Sequence, residues 1–202
     1  SIGRLDKETS GILLFARNQV AAARLQQQRE EGKLQKKYLA LAEGDLSEAN
    51  DSVFWKEIAI PLAPDPENPM KMKISPDGLL PGSRNAVTYY KNIKSFGNVT
   101  LVELQLETGR THQIRVHMSG IGHPLLGDTM YNPRVCLKMS NSKEKKNTEG
   151  RINNRNDCFK RAALHAWKLT FCHPFTDEII TLEAPLPDDF CRFLNANEEE
   201  KT

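Results

Sequence analysis

At 202 residues, 39% apolar and 27% charged, the chain is long enough for one sizeable hydrophobic core and reads as an ordinary globular protein rather than a disordered one. No apolar stretch approaches the roughly 20 residues of a transmembrane helix, and no basic-plus-apolar leader is visible, so a cytoplasmic protein of one domain is expected. Net charge is only +2, yet residues 134–161 hold nine Lys/Arg against three acids, which leaves −4 for everything else. A basic segment on a near-neutral body suits phosphate contact, and it equally suits a solvated polar insertion over 135–160.

The chain opens abruptly on Ser1-Ile2-Gly3-Arg4-Leu5-Asp6, without an initiator Met, and is expected to lack some N-terminal sequence. Ile12 to Ala16 is a short apolar run, read as a buried strand. Asn18 offers a cap for a helix over Gln19 to Glu31 that stops at Gly32. Lys36 to Gly44 reads as a strand and turn, and Val53 to Ile60 as a strand that ends at Pro61. Pro61 to Pro69 holds four prolines and reads as a loop. Ala86–Lys94 and Val99–Leu106 are the clearest strands, joined at Ser95-Phe96-Gly97-Asn98 as a hairpin. Thr111 to Ser119 reads as a helix that Thr111 can cap, with Ile114 and Met118 on one face. Trp167–Cys172 and Glu178–Leu182 form another hairpin, and Asp188–Leu194 closes the chain as a helix. Strands outnumber helices and neighbours are hairpin-joined, which predicts an α+β class: a mainly antiparallel mixed sheet with flanking helices. The four cysteines (136, 158, 172 and 191) form no CxxC pair, so neither a disulfide framework nor a metal site is expected.

Two segments carry chemistry. Gly3-Arg4-Leu5-Asp6-Lys7-Glu8-Thr9-Ser10-Gly11 sets a carboxylate among small and polar residues, where it can face a cleft, although the same pattern also makes a plain turn. Thr108-Gly109-Arg110-Thr111-His112-Gln113-Ile114-Arg115-Val116-His117-Met118 packs two arginines and two histidines around a helix start. Arg110 is electrostatically unhelpful to that helix and points to an anionic partner such as phosphate. His112 and His117 are five apart and lack zinc spacing.

Together these residues resemble the RluA-type family of RNA pseudouridine synthases. Arg4-Leu5-Asp6 with Thr9-Ser10-Gly11 matches its catalytic motif, with Gly3 where relatives have His. Lys36-Lys37-Tyr38-Leu39-Ala40 is similar to its tyrosine motif, and the Thr108–Met118 segment, continuing to Gly122-His123-Pro124 and Gly127-Asp128, to its third motif. Arg161-Ala162-Ala163-Leu164-His165-Ala166 and the hairpin with His173-Pro174 resemble its C-terminal signature. The resemblance implies the synthase catalytic fold and conversion of a flipped uridine to pseudouridine in ribosomal RNA or, next, transfer RNA. It implies Asp6 as nucleophile, Tyr38 stacked on the base, Arg115 paired with Asp6, and Leu164 in the pocket floor. Arg4, Arg110, His112 and Gln113 are the remaining substrate-binding candidates. The reaction conserves every atom, so no cofactor and no metal is expected, and a monomer is the expected state. Relatives carry an earlier strand and often an RNA-binding domain before the catalytic motif. A module that binds RNA without reacting, or a glycosidase acting on free nucleosides, are the rival readings; the second wants a further acid, for which Glu8 and Asp128 are available but not singled out.

Overall fold

The computed structural model describes residues 1–46, 54–136 and 159–198. Nine strands are β1 (Ser10–Gly11), β2 (Gln35–Glu43), β3 (Lys56–Ala59), β4 (Leu62–Asp65), β5 (Asn68–Ile74), β6 (Val87–Ser95), β7 (Val99–Leu106), β8 (Leu164–Cys172) and β9 (Ile179–Glu183) among the described residues, with helices α1 (Gln19–Glu30), α2 (Gln113–Gly120) and α3 (Asp188–Glu198). A seven-stranded sheet runs β1-β8-β2-β7-β6-β3, with β9 also on β8. The β1–β8 pair is parallel and the other pairs antiparallel, so the sheet is mixed but mainly antiparallel, as the hairpin-joined strands predict. β1 takes the His165–Ala166 stretch of β8 and β9 takes Lys168–Cys172.

Strand β2 shows why the sheet lies between two layers. Tyr38, Ala40 and Ala42 join Val102, Leu104, Ile114, Met118, Leu125 and Leu164 in one cluster, which α2 covers. Leu39 and Leu41 join Val99, Leu101, Phe190 and Phe193 in another, under α3. Adjacent residues thus go to opposite faces, and both faces are dry. Phe190 meets Phe159 edge-on at 5.5 Å between ring centroids, and Phe193 meets Phe96 at 5.6 Å. Each such pair adds about 0.5–1.5 kcal/mol beyond the area it buries.

Helix α1 follows its sequence signals: Asn18 accepts a hydrogen bond from the Ala21 amide at 2.8 Å, and Gly32 lies at φ +70° just past the end. Its buried Ala21 and Leu25 hold the helix down, Leu25 within a cluster of Ile2, Leu34, Leu169 and Phe171. Three expectations are corrected. Ile12–Ala16 is not a buried strand: strand pairing covers Ser10–Gly11, followed only by an Ile12 amide bond to the Ala166 carbonyl and one Ile2–Leu14 bridge, and Phe15 faces solvent. The proline-rich 61–69 segment is not all loop, because β4 pairs with β5 as a separate two-stranded ribbon that includes Pro64. Both strands of a ribbon are edges, where a missing amide is tolerated. Thr111 does not cap α2; His112 stands at the helix start at φ 54° with no side-chain cap. The strand read over Val53–Ile60 is the shorter β3, with Val53 itself outside the described residues, as is most of the expected 135–160 insertion (137–158).

Candidate active site

The leading loop, the start of β2, the β7–α2 loop and the first residue of β8 converge on a cleft of about 470 Å³, within the usual range for small-ligand sites. Arg4, Asp6, Tyr38, Arg110, His112, Gln113 and Leu164 all line it. Arg115 does not line the cleft; it is buried beneath Asp6.

The Asp6 loop is fixed at both ends. Ile2 donates to the Leu14 carbonyl at 2.8 Å, and the Thr9 amide closes a turn onto the Asp6 carbonyl at 2.9 Å. At Gly11 (φ +110°) an added Cβ would fall 2.1 Å from the Ala166 oxygen, so only glycine lets β1 lie this close to β8. Arg161 reaches across to donate to the Glu8 carbonyl at 3.1 Å. The resulting Asp6 side chain keeps 21% of its exposure, open to the cleft yet backed by protein.

Beneath it, the Arg115 fork is committed elsewhere. Nε and Nη2 each donate to the Asp128 carboxylate at 2.8 Å, a bidentate pair with Asp128 fully buried. Asp6 receives the free Nη1 at 4.0 Å, and Glu8 lies 3.6 Å from Nη2. The expected Asp6–Arg115 pairing is therefore a long contact, and the short partner is Asp128. Burial opposes the charge of Arg115, but hydrogen bonds and charge from Asp128, with Glu8 and Asp6, outweigh it and hold its pKa above the ordinary arginine value. Asp128 is in turn fixed by the Met130 and Tyr131 amides at 2.9 and 3.0 Å. The Tyr131 ring lies 5.1 Å from the guanidinium, a cation–π contact.

Tyr38 forms the opposite wall, buried except where it meets the cleft. Burial first, then the charge of Asp6, push its phenol up to about 12, so the ring stays neutral. Leu164 packs in the same cluster at the base. The His112 Nδ1 and the Tyr131 hydroxyl are 2.8 Å apart, and that hydroxyl accepts from the Met72 amide at 2.9 Å. Burial lowers the pKa of His112, keeping it neutral. Its left-handed backbone costs about 1–3 kcal/mol, a strain typical of residues fixed for a site.

Gln113 lines the cleft but spends all its polar capacity on the scaffold. Its oxygen accepts from Thr108 at 2.8 Å and the Arg110 amide at 3.0 Å, while its nitrogen donates to the Val87 carbonyl and the Thr88 hydroxyl. Thr88 continues the chain to His117 Nδ1, whose Nε2 donates to the Ile60 carbonyl. This buried network moors α2 to β6 and explains the polar residues of the third motif. Arg4 is exposed at the rim, and Arg110 donates to the Asn85 carbonyl at 3.0 Å. Tyr131 escapes the sequence reading, and Glu8 and Asp128 stood in it only as available acids that nothing singled out; burial reveals the role of Asp128. Among the described residues, no group of three or more His, Cys, Asp or Glu is placed to hold a metal ion.

The comparisons agree with this geometry. A model of the RNA pseudouridylate synthase family matches residues 1–120. An uncharacterised RNA pseudouridine synthase of Bacillus subtilis, YhcT, is 40% identical over 190 residues, covering 93% of this chain and 53% of its own length. The ribosomal large subunit pseudouridine synthase D of Haemophilus influenzae is 37% identical over 195 residues, 96% of this chain and 55% of its own. The chain thus spans about half the length of the curated relatives it matches. Among solved structures, human RNA pseudouridylate synthase domain containing 4 superposes with a TM-score of 0.73 at 26% identity, over 98% of this chain and 75% of that one. Its domain containing 1 counterpart gives 0.68 at 28% identity, over 92% and 68%.

Proposed function

From the membership of this chain in the RNA pseudouridylate synthase family, we propose that it isomerises uridine in RNA to pseudouridine with Asp6 as nucleophile. The observation that carries this reading is a cleft carboxylate beside a buried guanidinium, faced by a neutral tyrosine ring.

The reaction breaks N1–C1′, turns the uracil, and rejoins it through C5; C5 loses a proton and N1 gains one, so every atom is kept. Asp6 attacks C1′ or C6, or assists departure of the base to leave a glycal. Each route uses Asp6 as a carboxylate, and the Arg115 guanidinium lies 4.0 Å from it. Tyr38 gives the uracil a flat face, and its phenol, neutral up to about pH 12, is a proton donor rather than an anion there. A stacked uridine does not reach this cleft, so the target nucleotide flips out, at a cost of a few kcal/mol offset by the new contacts. In this reading Arg4, exposed at the rim, fills the vacated stack and Arg110 meets phosphate. Retention of Asp6, Tyr38 and Arg115 together speaks against an inert RNA-binding module.

Ribosomal RNA is the favoured substrate, transfer RNA the next; the first is supported by relatives named for the large ribosomal subunit. RNA carrying tritium at uracil C5 tests the reading, because rejoining at C5 expels that hydrogen. The protein should release tritium and its Asp6→Asn variant should not. No release from the parent protein on ribosomal or transfer RNA would sink the proposal.

A further inference from the structure

Two cations in the cleft have no place in the chemistry above. Lys36, at the start of β2, and Arg29, in the last turn of α1, both line the same cavity as Asp6 and Tyr38. Other lysines have carboxylates: Lys37 lies 2.8 Å from Glu103, Lys91 3.2 Å from it, and Lys33 2.7 Å from Glu31. Among the described residues, neither the Lys36 ammonium nor the Arg29 guanidinium has a hydrogen bond or an ion pair. The cleft's own acids are turned away from them, since Asp6 faces Arg115 and Glu107 takes the Tyr89 phenol at 2.6 Å.

The two are also held close to each other. Burial, and then the like charge of Arg29, lower the pKa of Lys36, and Arg29 also acts on the Tyr38 phenol. Glycines leave room for both: a Cβ at Gly3 would meet Lys36 Nζ at 3.5 Å, and one at Gly109 would meet Arg29 Nη2 at 3.2 Å. A helix C-terminus attracts an arginine, which accounts for Arg29 but not for a half-buried lysine beside it. Two adjacent unpaired cations in a partly desolvated cleft repel each other until an anion joins them.

We propose that Lys36 and Arg29 together form a phosphate site that holds the RNA backbone next to the target uridine. The site rests on the RNA reading above. Lys36 and Tyr38 are two apart on β2, about 7 Å along the strand, and both line the cleft; the register shift between Lys37 and Tyr38 in the pairing with β8 skips a residue of β8 and none of β2. A uridine stacked on Tyr38 therefore has its own phosphodiester within reach of Lys36. A phosphodiester has two unesterified oxygens, one for each cation.

The test uses a fluorescein-labelled decauridylate, its binding followed by anisotropy from 50 to 200 mM KCl. The Arg29→Ala, Lys36→Met double variant should lower the slope of log affinity against log salt by about 0.7, the value for one single-strand phosphate contact. Lys33→Ala, an exposed lysine already paired with Glu31, should leave the slope as it was. Competition by uridine, uridine 5′-phosphate and uridine 3′-phosphate then identifies the side. One nucleotide should outcompete uridine, and only in the protein that retains both cations. An unchanged slope, or equal competition by all three, overturns the site. A parent protein that releases no tritium while keeping the variant-dependent slope would instead sink the synthase reading and leave the anion site standing.

Discussion

Arg115 serves two ends, and substitution separates them. Its guanidinium is buried and bound twice, at 2.8 Å each, to a carboxylate with no exposure at all. Arg115→Met leaves the Asp128 charge buried with only the Met130 and Tyr131 amides for company. Removing one partner of such a pair costs about 3–5 kcal/mol, roughly a fifth or more of the stability of a typical domain, which is about 5–15 kcal/mol. Asp128→Asn keeps an oxygen for those amides but gives Arg115 a neutral partner, and should cost a similar amount. The Arg115→Met, Asp128→Asn double variant strands no charge, so its loss should fall short of the summed single losses by about 0.5–3 kcal/mol. Urea unfolding at constant m measures this directly. Tritium release should behave differently: the double variant recovers stability yet stays inactive, because Asp6 has lost the cation 4.0 Å away. Single variants that lose under about 1 kcal/mol, or a double variant that sums them, would refute the buried-pair argument. A double variant with parental turnover would refute the role of Arg115 at Asp6.

Three further outcomes follow from the same geometry. The Tyr38 phenol titrates near pH 10 unfolded and about pH 12 folded, so its contribution is complete below pH 10 and lost as pH rises to about 12. Chemical denaturation across that window should show Tyr38→Phe losing roughly 2–3 kcal/mol less than the parent. His117 is buried and its pKa is lowered by burial, so its contribution is present above about pH 6.5 and lost as pH falls through the folded value. His117→Gln should flatten the acid limb of a stability–pH curve, and an unaltered limb would remove His117 as its source. Gly11→Ala drives a methyl into the Ala166 carbonyl at a left-handed backbone position. It should abolish tritium release by displacing the Asp6 loop, while circular dichroism shows the rest of the sheet retained; parental turnover would show that β1 does not position Asp6.

The sequence made the long strands legible because each has a decisive pattern. β2, β6, β7 and β8 carry apolar residues that have to reach one face or the other, and α1 carries both its cap and its stop. β1 was illegible for the opposite reason. Its two residues, Ser10 and Gly11, are chosen for close approach to β8 and not for burial, so the apolar run just after them drew the strand to the wrong place. The β4–β5 ribbon was hidden by prolines that forbid a central strand but not an edge. In the candidate site, Asp6, Tyr38 and the buried Arg115 were readable from the motif residues, while the anchor of Arg115 was not. Asp128 looks like any turn aspartate, since its carboxylate does accept two local amides. What makes it the anchor of Arg115 is that a chain reversal after α2 buries it against a residue thirteen positions earlier. Lys36 and Arg29 pose the same problem in reverse. Arg29 has an ordinary local reason to be where it is, at the end of a helix, and only the folded chain shows Lys36 sharing a cleft with it and neither side chain paired to a carboxylate. The motif residues that line the cleft were reached through a family resemblance; the charges that balance them depend on which distant residue is brought alongside, and that is a property of the packing.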